Sequence, residues 1–554
     1  MRAPSKEVID LLEQGHKLSI AKREASKKHK LKGLITNIQI LNHLTQKERN
    51  KYQTKLITKP VRTSSGVAPV AIMTSPTECP HAKTTGPCTM CPGGPKSNFG
   101  NVPQSYTGAE PATRRALRAN FDPYLQVFNR LEQFIAIGQL PEKVELIIMG
   151  GTFPARTINY QDTFVKYAFK AMNDFSKIFF TKNKLNLEKF KTFFELPGDI
   201  QDEARVKKVI AKIKKLKKIC TLEKEQKRNE TSNIKCIGLV IETRPDYANL
   251  KEANQMLKLG CTRVELGVQS TSNKVLTKIK RGHSIEDSIK STQILKDLGF
   301  KINYHMMIGL PKSSKKQDIN QFKELFSNED LKPDMLKIYP CLVTKGTELY
   351  NDKRFKPLTA KKAAKIVAEV KKDIPPYVRI MRIQRDIPHT QIARGPNVTN
   401  LRQEVDKVMR KNKYLCNCIR CREIKEPAKA HSIKILAYEA SEGVEFFIEA
   451  HDKNKIIGFC RLRFPNQSLR KEITKDSALI RELHVYGDSA IIGEAGKVQH
   501  KGIGKELLKI AEKISKENNK NKMIIISGIG VRNYYKKLNY KLNGPYMSKK
   551  LTSS

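Results

Sequence analysis

Residues 78–94 read ECPHAKTTGPCTMCPGG. Three of the chain's 11 cysteines, Cys79, Cys88 and Cys91, fall here within thirteen positions, among prolines and glycines. Such a stretch can be a disulfide framework, a zinc knuckle or three thiolates on an iron–sulfur cluster. A structural zinc usually takes two ligand pairs. Only Cys88 and Cys91 form a close pair, and His81 is the residue at hand for a fourth position. Three thiolates on a 4Fe–4S cluster leave one iron open to bind and activate a small molecule, and iron–sulfur ligation uses short Cys spacings of this kind. Spacing alone leaves zinc and cluster open. The surroundings favour a cluster: SGVAPVAIMTS (65–75) reads as a first strand, and a strand–helix alternation follows.

That alternation runs from about 61 to 375. Strand candidates are VELIIMGG (144–151), CIGLVIETRP (236–245), TRVELGVQS (262–270), KINYHMMIGLP (301–311) and MLKIYPCLV (335–343). Helical stretches such as DYANLKEANQMLKLG (246–260) and SIEDSIKSTQILKDLG (284–299) lie between them. Repeated units of this size predict an α/β fold with a parallel sheet, a full or partial (β/α) barrel. The C-terminal strand ends then carry the site. Gly150 and Gly151 end one strand, as a plain turn or a close backbone approach to a ligand. Glu242 and Arg244, and Glu265 and Gln269, place polar groups at the ends of apolar strands, where they bind something or pair with each other. Lys337 and Tyr339 are further substrate-contact candidates.

Four regions are expected: residues 1–60, 61–375, 376–430 and 431–554. The first is basic and helical, a small cap or a nucleic-acid-binding lobe. Within the second, a lysine-rich segment at about 181–235 interrupts the rhythm. Its helix ARVKKVIAKIKKLKKI (204–219) is expected to put Val209, Ile213, Leu216 and Cys220 on one face. The third, a connection, holds CNCIRC, whose Cys416, Cys418 and Cys421 read as a structural zinc site or as surface thiols. His389 and His431 are candidate fourth ligands. The last region reads as a compact α+β unit: a hairpin over 445–464 with turn DKNK, the strand LIRELHVYG (479–487), a glycine loop, a helix and KMIIISGIG (522–530). In QHKGIGK (499–505), Gln499, Gly502 and Gly504 fit a pyrophosphate cradle at a helix N-terminus. Cys220, Cys236, Cys261, Cys341 and Cys460 sit in apolar contexts and read as buried.

The formal net charge of the 554 residues is +49, partly because Lys is abundant throughout. A polyanionic partner is expected, nucleic acid first. No run of about 18 uncharged apolar residues is present, so no membrane span is expected, and the N-terminus lacks the apolar core of a secretory signal. A reducing cytoplasmic setting is expected, where clustered cysteines bind metals more often than they form disulfides.

CPHAKTTGPCTMCPGGP (79–95) and PQSYTGAEPATRRALRANFDPY (103–124) resemble the radical S-adenosylmethionine core of the Elongator catalytic subunit. The resemblance continues in order through VELIIMGGTF, IETRPDY, VELGVQST, HMMIGLP, KIYPCLV, RIMRIQRDIP, RELHVYG, QHKGIGKELL and SGIGVRNYYKKLNYKLNGPYM, over roughly residues 55–554. The first cysteine gap is eight residues rather than the usual three, and members of this family share the longer form. The C-terminal unit is similar to GNAT-type acetyltransferases.

The resemblance implies a tRNA-modifying radical enzyme, an acyltransferase that adds a carboxymethyl-type group to carbon 5 of the wobble uridine. Its cofactors would be a 4Fe–4S cluster on Cys79, Cys88 and Cys91, S-adenosylmethionine and acetyl-CoA, beside the zinc expected on the connection. S-adenosylmethionine would lie at Gly150, Gly151, Glu242 and Arg244, and substrate at Glu265, Gln269 and Tyr339, with Lys337 catalytic. Acetyl-CoA would lie on Glu482, Leu483, His484, Val485, Gln499, His500, Gly502, Ile503, Gly504, Lys505, Asn533, Tyr534 and Tyr535, with Tyr535 protonating the departing thiolate. The implied partner is the tRNA anticodon stem–loop, with no membrane. The chain would act as a stand-alone protein or homodimer, with Elongator accessory subunits only in a eukaryote. The rivals are a protein lysine acetyltransferase with a structural cluster, and a tRNA-binding scaffold.

Overall fold

The computed structural model describes residues 2–57, 66–198, 202–424, 426, 428, 430–486 and 502–551. They fall into two units, Met1–Val70 with Asp122–Glu145 and Val165–Cys236, and Ala71–Phe121 with Leu146–Phe164 and Ile237–Ser554.

In the first unit, α1 (Arg2–Glu13), α2 (Leu18–Lys28), α3 (Asn37–His43) and α4 (Gln46–Leu56) pack around Val8, Ile9, Leu12, Ala21, Ala25, Ile40 and Leu41. Reciprocal capping boxes at Thr36/Gln39 and Thr45/Glu48 start α3 and α4 by satisfying otherwise unpaired amides. The lysine-rich segment falls in this unit. Its helix, α5 (Glu203–Leu216), is capped by Asp202 and buries Val209 and Ile213. Cys220, expected on the same face, lies beyond the helix end. Lys217 leaves helical geometry and its ammonium pairs with Asp122, which turns the chain away.

The second unit is built on a seven-stranded sheet: β1 (Val67–Met73), β2 (Lys143–Met149), β3 (Lys235–Thr243), β4 (Cys261–Gln269), β5 (Lys301–Ile308), β6 (Met335–Pro340) and β7 (Arg379–Arg382). Spatial order follows chain order, and β1 and β7 are not neighbours, so the barrel is open. The pairings from β3 through β7 are parallel. Near-continuous apolar strands such as CIGLVI suit this arrangement, because helices or further layers cover both faces.

A second seven-stranded sheet holds β8 (Ser432–Ala440), β9 (Gly443–Asp452), β10 (Lys455–Phe464), β11 (Ser477–Val485), β12 (Lys522–Ile525), β13 (Lys541–Asn543) and β14 (Tyr546–Lys550), in order 8-9-10-11-12-14-13. It is antiparallel except for β11 and β12. Helix α6 (Ile503–Glu517) packs on it through Ile503, Leu507, Leu508 and Ala511.

Within this unit, buried ion pairs join the second sheet to the N-terminal ends of β5 and β6. Arg461, Arg463 and Arg481 are at most 1% exposed. Arg481 binds Asp334, just before β6, and the carbonyl of Phe300, just before β5. Arg463 binds Asp297 and Glu445, and Arg461 binds Glu482. Buried guanidinium groups persist only when paired in this way.

Candidate active sites

The loop after β1 carries the first three cysteines. Cys79 and Cys88 are buried and Cys91 is half-buried. Each sulfur has hydrogen-bonding groups around it: Thr152 Oγ1 lies 3.7 Å from Cys79, Arg281 Nη1 3.7 Å from Cys88, and Gln104 Nε2 3.4 Å and Ser105 Oγ 3.2 Å from Cys91. Burial pushes the Cys79 thiol up to about 11, and raises Cys88 despite the Arg281 cation beside it. Burial thus disfavours the thiolate form at both positions in the protein alone.

Sulfur separation tells the two cysteine sets apart. Tetrahedral zinc at about 2.3 Å from each sulfur sets them roughly 3.8 Å from one another. Among the described residues, Cys416, Cys418 and Cys421 bring their sulfurs within 4.8 Å of one another, whereas Cys79, Cys88 and Cys91 do not. The first loop fits a larger cluster; the connection fits one metal ion. Neither His389 nor His431 joins the second set, and His431 instead pairs with Glu506 at 2.9 Å. His81 Nε2 lies 3.5 Å from Cys88 while Nδ1 meets Arg244. Burial and the cations Arg244 and Arg281 hold His81 neutral, down to about 3.

Arg244 spends its five N–H donors on the protein: Asp246 twice, the carbonyls of Gly282 and Arg281, and His81. It differs from the expected cofactor contact and instead braces the cysteine loop against residues 281–282. The two glycines also differ. A Cβ on Gly150 would lie 2.5 Å from Thr74 Oγ1, so this glycine allows β1 and β2 to converge at their ends. Gly151, at φ +87°, has only Gln104 Cβ nearby, at 3.7 Å, and is the open member of the pair. Beside this loop lies a cavity of about 240 Å³ lined by Cys91, Gly93, Gly94, Gln104, Lys345 and Gly346.

Inside the barrel two register pairs, Glu242 on β3 with Glu265 on β4 and His305 on β5 with Lys337 on β6, are joined into one polar layer by their side chains, although Glu265 itself lies opposite Asn303. Lys337 pairs with Glu265 and, at 3.4 Å, with Glu242. Tyr106 donates to Glu242 at 3.2 Å, and His305 Nε2 lies 2.7 Å from Glu265 Oε2. Burial opposes the charge on Lys337, but Glu265, Tyr339 and Glu242 raise its pKa above the lysine range. The two carboxylates beside it favour the charged ammonium. Tyr339 meets His305 edge-on at 5.7 Å. Gln269 ends β4 at φ +72°, and the side-chain amide lies near Gly267 rather than in this layer.

In the second sheet, β11 pairs with β12 only from Ser477 to Ile480, after which Ile526 N donates to Ile480 O and the paired register ends. Arg481–Val485 continue beside β10, leaving a slot between β11 and β12 at the start of α6. Leu483 and Val485 pack toward the core, as does Ile503. Glu482 accepts from Arg461, and His484 stacks on Phe459 at 5.8 Å. Beyond Ile480 the backbone of β11 is thus no longer paired with β12.

Gly502, at φ +87°, caps α6 with no atom of the described residues within 4 Å of its Cβ position, and Lys505 is exposed. A Cβ on Gly504 would lie 3.4 Å from the Tyr534 hydroxyl. Tyr535, expected to protonate the thiolate, is instead buried against Tyr540 in the core, and burial raises its pKa. Tyr534 is the tyrosine that reaches the glycine turn. Asn533 is half-buried beside it. Gln499 and His500 lie outside the described residues.

An open parallel barrel with a three-cysteine loop, joined to a splayed α+β sheet with a glycine-capped helix, defines a radical S-adenosylmethionine enzyme carrying a GNAT acetyltransferase domain. Family models match in the same order: the ELP3 N-terminal domain at residues 5–64, the radical SAM superfamily at 79–325, the radical SAM C-terminal domain at 333–411 and the GNAT family at 416–540. The chain is 48% identical to a tRNA uridine(34) acetyltransferase of Methanocaldococcus infernus, over 94% of this chain and 92% of that protein. It is 38% identical to Elongator complex protein 3 of Saccharomyces cerevisiae, over 95% and 90% respectively. A solved structure of the archaeal M. infernus Elp3 with N-terminal deletion (1–46) superposes with a TM-score of 0.70 at 42% identity, covering 88% of this chain and 100% of that one. The chain belongs to the family of Elongator complex protein 3 and the tRNA uridine(34) acetyltransferases. Membership implies a 4Fe–4S cluster, S-adenosylmethionine and acetyl-CoA. No helix among the described residues is long and apolar enough to cross a membrane.

Sequence reading missed His305, Arg281, Tyr106 and Gln104. His305 had a signal, a lone polar ring in an apolar strand at the level of Lys337. Arg281 and Gln104 had none, since they act through contacts distant in sequence.

Proposed function

We propose that this chain modifies uridine 34 of tRNA, building a carboxymethyl-type group on carbon 5 from acetyl-CoA. The observation that supports it best is the presence of two cofactor-competent sites on one chain, an open barrel with a donor-surrounded cysteine triad and a splayed acetyltransferase sheet. Close relatives carry the name tRNA uridine(34) acetyltransferase.

Cys79, Cys88 and Cys91 would hold the 4Fe–4S cluster, which supplies the electron for cleaving S-adenosylmethionine to a carbon radical. Arg281, Gln104, Ser105 and Thr152 place hydrogen-bonding groups at the sulfurs. Gly151 lets the cofactor backbone come close, and Glu242, Lys337 and Tyr339 face the barrel interior. Gly502 and Gly504 present α6 amides to a pyrophosphate. Tyr534 is placed to supply the proton to the leaving thiolate. Cys416, Cys418 and Cys421 would hold a structural zinc with a fourth ligand from outside the described set. The basic surface binds the anticodon stem–loop, so affinity falls with salt. The protein works in a reducing cytoplasm.

The test incubates anaerobically reconstituted protein with tRNA, S-adenosylmethionine and acetyl-CoA labelled in the methyl group. Mass spectrometry should find the label on carbon 5 of the wobble nucleoside. Unlabelled tRNA together with acetylated lysine on a protein would overturn the proposal.

A further inference from the structure

His305 offers the barrel something the other polar groups there do not. Its Nε2 lies 2.7 Å from Glu265 Oε2. Glu265 is fully buried, and although burial works against its charge, Lys337, His305 and Arg263 keep it ionised. Burial and then the Lys337 ammonium keep the ring neutral, outweighing the pull of Glu265 and Glu242. A carboxylate can only accept, so the single ring proton sits on Nε2 and Nδ1 carries a lone pair. Nδ1 meets no partner among the described residues and is not sealed off from solvent.

The neighbours complete a pattern. Lys337 directs its ammonium at Glu265 and Glu242, which leaves one of three N–H bonds to spare. The Tyr339 ring stands edge-on to His305, and no group among the described residues binds its hydroxyl. The layer therefore presents one acceptor, Nδ1, beside two donors. Uracil shows the complement, an N3–H donor between two carbonyl acceptors. Cytosine shows a second lone pair at N3, which would face that of Nδ1. Position sets His305 apart from the cysteine loop. The cysteine loop follows β1 and Gly151 follows β2, whereas His305 stands three strands beyond β2, roughly 14 Å across the sheet.

We propose that His305, oriented by Glu265, accepts the N3–H of the target uracil and so selects uridine over cytidine. This rests on the uridine-34 reading above. A site built to bond a substrate N–H rejects analogues that lack it, because its own polar group would be left unpaired.

The test uses anticodon stem–loops carrying uridine, cytidine or 3-methyluridine at position 34, with wild-type protein, His305→Ala and His305→Asn. The wild type should form product on uridine only and bind that RNA about 3–10-fold more tightly than the other two. His305→Ala should bind all three within about twofold and lose roughly 10–100-fold in kcat/KM on uridine. His305→Asn, whose amide oxygen can take the place of Nδ1, should restore part of the preference. Nitrogen-15 NMR of the wild type at pH 7 should show a neutral ring protonated on Nε2.

A ring protonated on Nδ1, or an unchanged preference in His305→Ala, overturns the proposal. So does loss of S-adenosylmethionine cleavage in that variant with the uridine preference intact, which would place the contact on the cofactor. Absence of product from the wild type on uridine would overturn the uridine-34 reading instead.

Discussion

Cys79, Cys88 and Cys91 and Cys416, Cys418 and Cys421 are two triads of one residue type in one chain, set at different separations and in different surroundings. The first is spread over a loop at the C-terminal end of β1, and its sulfurs stand too far apart for a single ion. Side chains from three other places reach in with hydrogen-bonding groups, Gln104 and Ser105, Thr152 and Arg281, beside His81 of the loop itself. The second is packed into six residues, and its sulfurs meet one another. Thiol–thiol hydrogen bonds within it lower the Cys418 thiol, against its burial. Separation and surroundings, more than residue type, decide whether a thiolate set does chemistry or holds a fold.

The sharpest way to break this comparison is to remove one cysteine from each set. Cys88→Ala should lower modified wobble nucleoside by at least about a thousandfold, since no other group replaces a cluster ligand. Its tRNA affinity should stay within about twofold in a filter-binding assay. Cys418→Ala should act on stability, lowering the melting temperature by about 5–10 °C and freeing one zinc per chain. Its product yield at 25 °C should fall less than about tenfold. Equal effects of the two variants on yield would erase the distinction.

Smaller changes probe the surroundings of the first triad. Arg281→Met removes the cation beside Cys88, and a cluster gaining an electron is stabilised by a nearby positive charge. Its reduction midpoint should move to more negative potential in a redox titration, with product down about tenfold. Gln104→Leu removes a neutral donor at Cys91 and should cost only a few-fold, with a smaller shift of the same sign. A Gln104 effect as large as that of Arg281 would mean that charge is not the lever.

Much of the barrel was legible because parallel strands leave an unambiguous trace: short apolar runs, each ending in glycine or charge. The predicted strands at 144–151, 236–245, 262–270, 301–311 and 335–343 coincide with β2–β6 to within a few residues. The hairpin turn at DKNK is likewise the break between Asp452 and Lys455. Other features depend on what the chain meets after folding. Tyr534 and Tyr535 are neighbours with the same side chain, and only the pitch of the short helix Arg532–Lys536 decides which one faces Gly504. Arg244 reads as a ligand contact until its partners at 281–282 are seen. Cys220 drops off its helix because Lys217 finds Asp122, far away in sequence. Local pattern carries periodicity; it does not carry the partners of a charge.

Metal analysis tests the division between the triads most directly. Wild-type protein reconstituted with iron and sulfide should contain about four irons and one zinc per chain, the irons giving the spectroscopic signature of a 4Fe–4S cluster. The variant with Cys79, Cys88 and Cys91 changed to Ala should lose the irons and keep the zinc; the variant with Cys416, Cys418 and Cys421 changed should lose the zinc and keep the irons. Zinc lost from the first variant, or iron lost from the second with its fold intact, would contradict the assignment.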